Sequence, residues 1–291
     1  MPKHPIAEAF GFPIINQTAT AQRYREHRLC PFNNKVPNCT KDKANDPLGV
    51  CSIFDGEETT ITCPVRFREN WLIAEHAAEF FFPAKTKWTS LTEVRINNKH
   101  GRSAGNIDVV LVSYDERGQV TDFGSLEIQA VYISGNIRRP FQEFMKSSEM
   151  TDFDWTREKH YPRPDYLSSS RKRLAPQMIF KGGILKEWKK KQAVAIDKGF
   201  YATLPTLKQV EQSKADIAWL VYDLALNKQR RTYELTLHQT IYTEFNSALN
   251  QITTAEAGPV DDFIEHLQEK LDEKLEGFAP DAPTIGDITL T

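Results

Sequence analysis

The feature that most constrains this chain is a cluster of four cysteines, Cys30, Cys39, Cys51 and Cys63, after which no cysteine follows to residue 291. The stretches between them (PFNNKVPN, KDKANDPLG, FDGEE) are turn-rich and lack hydrophobic periodicity. They predict a small N-terminal module that builds no core without a cross-link. Loops of this length let four sulfurs converge tetrahedrally on one metal ion. Two disulfides and four inert thiols are the alternatives; the first is disfavoured without a secretory leader, the second by the clustering. Zinc and iron both accept four thiolates, and the CxxC knuckles of common zinc ribbons are absent. A closed four-thiolate site leaves no open position for substrate, so any hydrolytic chemistry must lie elsewhere.

From Phe67 the pattern changes. RENWLIAEHAAEFFF predicts an amphipathic helix ending before Pro83. SLTEVRI, IDVVLVSY and FGSLEIQAVYIS read as strands separated by polar turns, the last two as an antiparallel hairpin. Residues 167–197 read as mostly helical with a break around Gly182 and Gly183. DIAWLVYDLAL and RTYELTLHQTIY read as strands, and PVDDFIEHLQEKLDEKL as a charged amphipathic helix. The fold class is therefore α/β (α+β), a mixed central sheet flanked by helices. The expected division is a cysteine module over residues 1–66 and a larger domain over 67–291.

A formal net charge of −2 argues against non-specific coating of nucleic acid. The sum hides two patches, however. Residues 159–198 carry eleven Lys and Arg against Asp165, Glu187 and Asp197, while 256–287 carry ten acids against Lys270 and Lys274. One face can thus be strongly positive, or both segments can be solvated helices of opposite sign. No apolar run approaches the roughly 18 residues that span a bilayer, and the N-terminus has no leader pattern. A cytoplasmic protein without membrane contact is expected.

Phosphodiester hydrolysis needs hard oxygen ligands for Mg²⁺. Asp108 opens the run IDVVLV, and Glu127 and Gln129 share one face of the apolar strand SLEIQAV. Polar side chains at successive same-face positions of such a strand are costly unless they bind something. The bland alternative is an exposed strand face. Glu93 in LTEVRI is a further acidic candidate, with Glu75 its rival; His76, His100 and His160 are assigned no role.

The order CPFNN, NC, VC, TCP, then TEVRI, GNIDVVLV and SLEIQAVYISGN, resembles the NotI-type type II restriction endonucleases. That resemblance lies in residues 30–137. It implies a PD-(D/E)xK core in which Glu-x-Gln replaces Glu-x-Lys, with Asp108, Glu127, Gln129 and Glu93 as catalytic residues and Asp108 and Glu127 as Mg²⁺ ligands. Cys30, Cys39, Cys51 and Cys63 would hold a structural iron, alternatively zinc. It also implies a homodimer cutting double-stranded DNA at a short GC-rich palindrome, leaving a 5′-phosphate and a 3′-hydroxyl. Arg23, Arg25, Arg28, Lys35, Lys41 and Lys43 would face the duplex, and Arg102, Arg138 and Arg139 are candidate phosphate or base contacts. A less specific repair or mobile-element nuclease, or a non-catalytic DNA-binding protein, are the other functional classes.

Overall fold

Residues 2–33, 35–42, 46–147 and 153–276 are described by the computed structural model of the chain. Near the N-terminus four short strands, β1 (Ile6–Ala9), β2 (Phe12–Pro13), β3 (Val50–Asp55) and β4 (Glu58–Ile61), form an antiparallel sheet in the order β2-β1-β3-β4. Ile6, Ala9, Phe10, Val50 and Ile53 are buried there against Phe141 and Phe144 of the helix Arg138–Lys146 and against Ile137, which precedes it. This core reaches beyond the cysteine-rich stretch itself. Its apolar partner comes from a helix far along the chain, which local periodicity cannot reveal.

An ion-pair network built on the fully buried Arg66–Glu8 pair ties this sheet to the rest of the molecule. Arg66 donates through Nε to Glu8 (3.1 Å to Oε2), through Nη1 to Glu69 (2.7 Å) and through Nη2 to the Tyr233 carbonyl (3.0 Å). Ser52 Oγ donates to the same Glu8 carboxylate (2.8 Å), and the Arg66 guanidinium lies over the Phe32 ring. Removing one member of a buried pair strands the other charge. Arg66→Met is expected to lower stability by roughly 3–5 kcal/mol, read from the denaturant midpoint at unchanged slope. A loss below about 1 kcal/mol would mean that the pair behaves as a surface salt bridge.

The alternating runs of the central region become one six-stranded sheet. Its strands are β5 (Trp88–Asn97), β6 (Ser103–Tyr114), β7 (Val120–Gln129), then, beyond the short paired strands β8 (Tyr132–Ser134) and β9 (Arg163–Asp165), β10 (Gln192–Asp197), β11 (Ile217–Asn227) and β12 (Thr232–Thr243). The order is β12-β11-β10-β7-β6-β5; β10 runs parallel to both neighbours and the other pairs are antiparallel. The expected mixed sheet flanked by helices is therefore present. One face, with Val109, Leu111, Leu126, Ile128, Ala193 and Leu220, packs on the helix Leu72–Phe81. On the other, Val194, Ile196 and Trp219 meet Leu174 and Met178 of a long helix over residues 166–187 and Phe245 of the helix Phe245–Thr253.

Two local expectations are corrected. Helix does not extend through 197: Gln192–Asp197 is an inner strand buried at every residue. A short apolar run buried on both faces carries no period-two signal. Nor does the helix break at Gly182 and Gly183, both of which keep right-handed helical angles. Gly182 serves close approach instead, since a Cβ there would lie 2.7 Å from the Phe245 ring and 2.9 Å from Gln192 Oε1. Widened π turns at Ser170–Leu174 and Met178–Gly182 flank Pro176, whose ring and missing N–H would disrupt a regular α-helix.

Two compact units divide the chain, Met1–Thr253 and Thr254–Thr291. The described part of the second contains the helix Val260–Glu276, whose Val260, Ile264, Leu267 and Leu271 are exposed and follow a heptad-like spacing.

Candidate active site

The strand register sets three carboxylates at one level of the sheet. Thr92 pairs with Val109 and Val94 with Ile107, so Glu93 stands opposite Asp108; Val109 pairs with Leu126, so Asp108 stands opposite Glu127. Strand alternation sends Leu126 and Ile128 into the apolar core and turns Glu127 and Gln129 to the face under the 166–187 helix. Asp108 Oδ2 accepts a hydrogen bond from the Ile128 amide (2.8 Å). Gln129 donates through Nε2 to Gln177 Oε1. Lys181, which sequence reasoning missed, donates from the helix to Glu127 Oε2 (2.6 Å) and to the Asn106 carbonyl (2.8 Å).

One oxygen on each of Glu127 and Gln129 is left open. Glu127 Oε1 and Gln129 Oε1 are buried without a hydrogen-bond partner, and both residues line a cavity of about 10 Å³ with Gln177, Met178 and Lys181. Burial, then the adjacent Asp108 carboxylate, pushes Glu127 up to about 8, while Lys181 opposes both. Two carboxylates within hydrogen-bond reach must share a proton or a cation. The oxygen donor set and the orphaned Glu127 oxygen fit a hard divalent cation, which is commonly held by one or two carboxylates plus substrate phosphate.

Glu93 does not join this contact set. It is exposed, its backbone is left-handed (φ 57°), and its carboxylate makes no bond among the described residues. Such a conformation at a non-glycine residue costs of order 1–3 kcal/mol. Glu75 is exposed on the helix Leu72–Phe81, and His76 bonds Tyr222 Oη (2.8 Å), so neither enters the site.

Two hairpins gather the four cysteines. A bridge between Leu29 and Asn38 puts Cys30 and Cys39 at diagonal positions of one hairpin, while Cys51 on β3 and Cys63 just after β4 are joined by the Cys63 amide donating to the Cys51 carbonyl (3.2 Å). All four are free thiols. Burial raises Cys30 to about 11 and lifts Cys39 and Cys51, and the nearby thiols add to each shift. Lys41 turns its ammonium inward onto the Val50 and Thr62 carbonyls (2.7 and 3.0 Å), beside Cys39, Cys51 and Cys63. The donor chemistry fits a tetrathiolate with a nearby cation. The sulfurs do not close into a cage, since among the described residues no three His, Cys, Asp or Glu side chains are arranged to hold a metal.

The family described as restriction endonuclease NotI matches residues 14–235, a span that includes all four cysteines, Asp108, Glu127, Gln129 and Lys181. The chain belongs to the NotI restriction endonuclease family. That makes it a type II restriction endonuclease, a nuclease acting on DNA. A search of curated proteins found no match to it.

Much of the positive charge of this NotI-family chain is already engaged. Within 159–198, Lys186 pairs with Asp216, Lys190 with Asp122 and Lys198 with Asp223, while Lys191 bonds the Phe80 carbonyl. Arg25 is buried, donating to the Asn16 and Pro13 carbonyls, and the Lys41 ammonium points inward; neither faces a duplex. Arg28 and Arg138 both pair with Asp46, Arg138 also with Asp42, and Arg139 pairs with Glu158. Arg23 and Lys35 are exposed, and Lys43 lies outside the described residues. Arg102 is exposed at the tip of the β5–β6 hairpin without a carboxylate partner among the described residues. No described helix is long and apolar enough to cross a membrane.

Proposed function

We propose that this restriction endonuclease is Mg²⁺-dependent and cuts a short GC-rich palindrome as a homodimer, leaving a 5′-phosphate and a 3′-hydroxyl. The observation that carries the reading is the Asp108–Glu127 pair, with one buried Glu127 oxygen unpartnered. Asp108 and Glu127 bind Mg²⁺, which when bound supplies positive charge against the developing phosphorane and lowers the pKa of the attacking water. Gln129 offers its open amide oxygen to orient that water, and the apolar helix face over the strand excludes bulk solvent. Glu93, one strand outward, contributes a further carboxylate once DNA is present.

Cys30, Cys39, Cys51 and Cys63 hold iron, with zinc the alternative, and the two hairpins close on that ion. Arg102 reaches the duplex from its hairpin tip. Arg28, Arg138 and Arg139 exchange exposed acidic partners for phosphates, since such surface pairs are worth only about 0–1 kcal/mol. A palindromic site calls for two copies related by a two-fold axis, one site per strand.

Digestion of GC-rich plasmid DNA in Mg²⁺, Ca²⁺ or EDTA tests the metal dependence. Cleavage confined to Mg²⁺ is expected; equal cleavage in EDTA would overturn it. The pH dependence gives a second check. Because Glu127 holds a proton up to about pH 8, Mg²⁺ must displace that proton at neutral pH. The half-saturating Mg²⁺ concentration should fall about tenfold per pH unit as pH rises toward 8, as one-proton linkage requires, and level off above it. A flat dependence from pH 6.5 to 8.5 would remove Glu127 from metal binding.

A further inference from the structure

Lys181 is buried, 4% exposed, and it reaches the site from a helix rather than from the catalytic strand. Its Nζ lies 2.6 Å from Glu127 Oε2 and 2.8 Å from the Asn106 carbonyl, two residues before Asp108 on β6. Its stem passes Gly105, where a Cβ would stand 3.6 Å from Lys181 Cδ. An ammonium buried this deeply is costly unless its hydrogen bonds are met, and one of its two partners is the residue that heads Glu-x-Gln. The strand position two beyond Glu127 carries only the neutral amide of Gln129. Both Lys181 and Gln129 line the same small cavity, so the charge missing from the strand is present in the site from the opposite side.

We infer that Lys181 is the cationic catalytic group of this site, taking from the helix the place that the strand's Gln129 leaves uncharged. This rests on the nuclease reading above. The ammonium acts electrostatically, not as a general base. It holds Glu127 Oε2, leaving Oε1 free for the metal, and directs its remaining N–H at the phosphate oxygens as they gain charge. Water oxygen bonds to phosphorus as the P–O3′ bond breaks, the water proton leaving to solvent and the departing O3′ taking a proton from solvent.

The test compares wild type, Lys181→Met, Lys181→Gln and the double variant Lys181→Met/Gln129→Lys in three assays. These are single-turnover cleavage in Mg²⁺, DNA binding by fluorescence anisotropy in Ca²⁺, and thermal unfolding. Lys181→Met should cut at least about a hundredfold more slowly, the size of a lost polar catalytic group, with DNA affinity within about threefold of wild type. Returning the lysine to the strand should recover at least tenfold of that loss, which a purely structural role for Lys181 would not do. Wild-type cleavage rates in a folded Lys181→Met or Lys181→Gln protein would overturn the inference. So would a rate loss matched by an equal loss of DNA affinity, or a double variant no faster than Lys181→Met. If Lys181→Met does not fold, Lys181→Gln and the double variant decide alone. Failure of the wild type to cut any DNA in Mg²⁺ would instead sink the nuclease reading.

Discussion

Replacing Asp108 or Glu127 by alanine is expected to remove DNA cleavage, slowing the single-turnover rate by about a thousandfold or more, while specific binding in Ca²⁺ stays within a few-fold. Metal stabilisation of a phosphoryl transition state is worth several kcal/mol, and each 1.4 kcal/mol is about a factor of ten. The two residues stand opposite each other across the β6–β7 ladder, and their oxygens are the hard donors that converge under the helix. Glu127→Gln is the cleaner probe of the second position, because it keeps a partner for the buried Lys181 ammonium while removing the charge. Retained cleavage in a folded Asp108 or Glu127 variant would show that the chemistry lies elsewhere.

Cys51→Ala should produce the other large effect. It removes a buried thiol on β3 and leaves the backbone carbonyl of that residue, which accepts from the amides of Thr62 and Cys63, in place. Elemental analysis is expected to find one iron or zinc per wild-type chain and less than a tenth of that in the variant. Structural zinc contributes roughly 10–16 kcal/mol in small peptides. The N-terminal sheet here retains an apolar core against the helix Arg138–Lys146, so the loss is smaller, on the order of 5 kcal/mol, lowering the melting temperature by about 10 °C or more. A metal-free wild type, or a variant of undiminished stability, would contradict the tetrathiolate.

How much of this was legible in the sequence depends on how far each feature relies on distant partners. β6 announces itself as a β-branched run closed by a polar turn, and the alternation of LEIQA in β7 puts Glu127 and Gln129 on one face. Lys181 was not legible, being 54 residues from Glu127 on a helix whose register the sequence leaves open. A signal did exist: Leu174, Met178, Lys181 and Leu185 recur at helical spacing, so a lysine sits in a buried apolar stripe. Gln192–Asp197 was misread because a strand buried on both faces looks like a helix segment of the same length. Arg25 and Lys41 were counted as surface charge because nothing in sequence reveals that backbone carbonyls receive them inside. The close approach at Gly182, likewise, is set by Phe245 from another element.

The cleavage predictions share one premise, that the chain cuts DNA at a defined site through a metal bound by Asp108 and Glu127. The most direct measurement is to incubate the protein with an unmethylated GC-rich genome in Mg²⁺ and sequence the fragment ends. Discrete fragments whose ends all fall within one short palindrome and carry 5′-phosphates are predicted. A smear of ends without common sequence, or intact DNA, would contradict it.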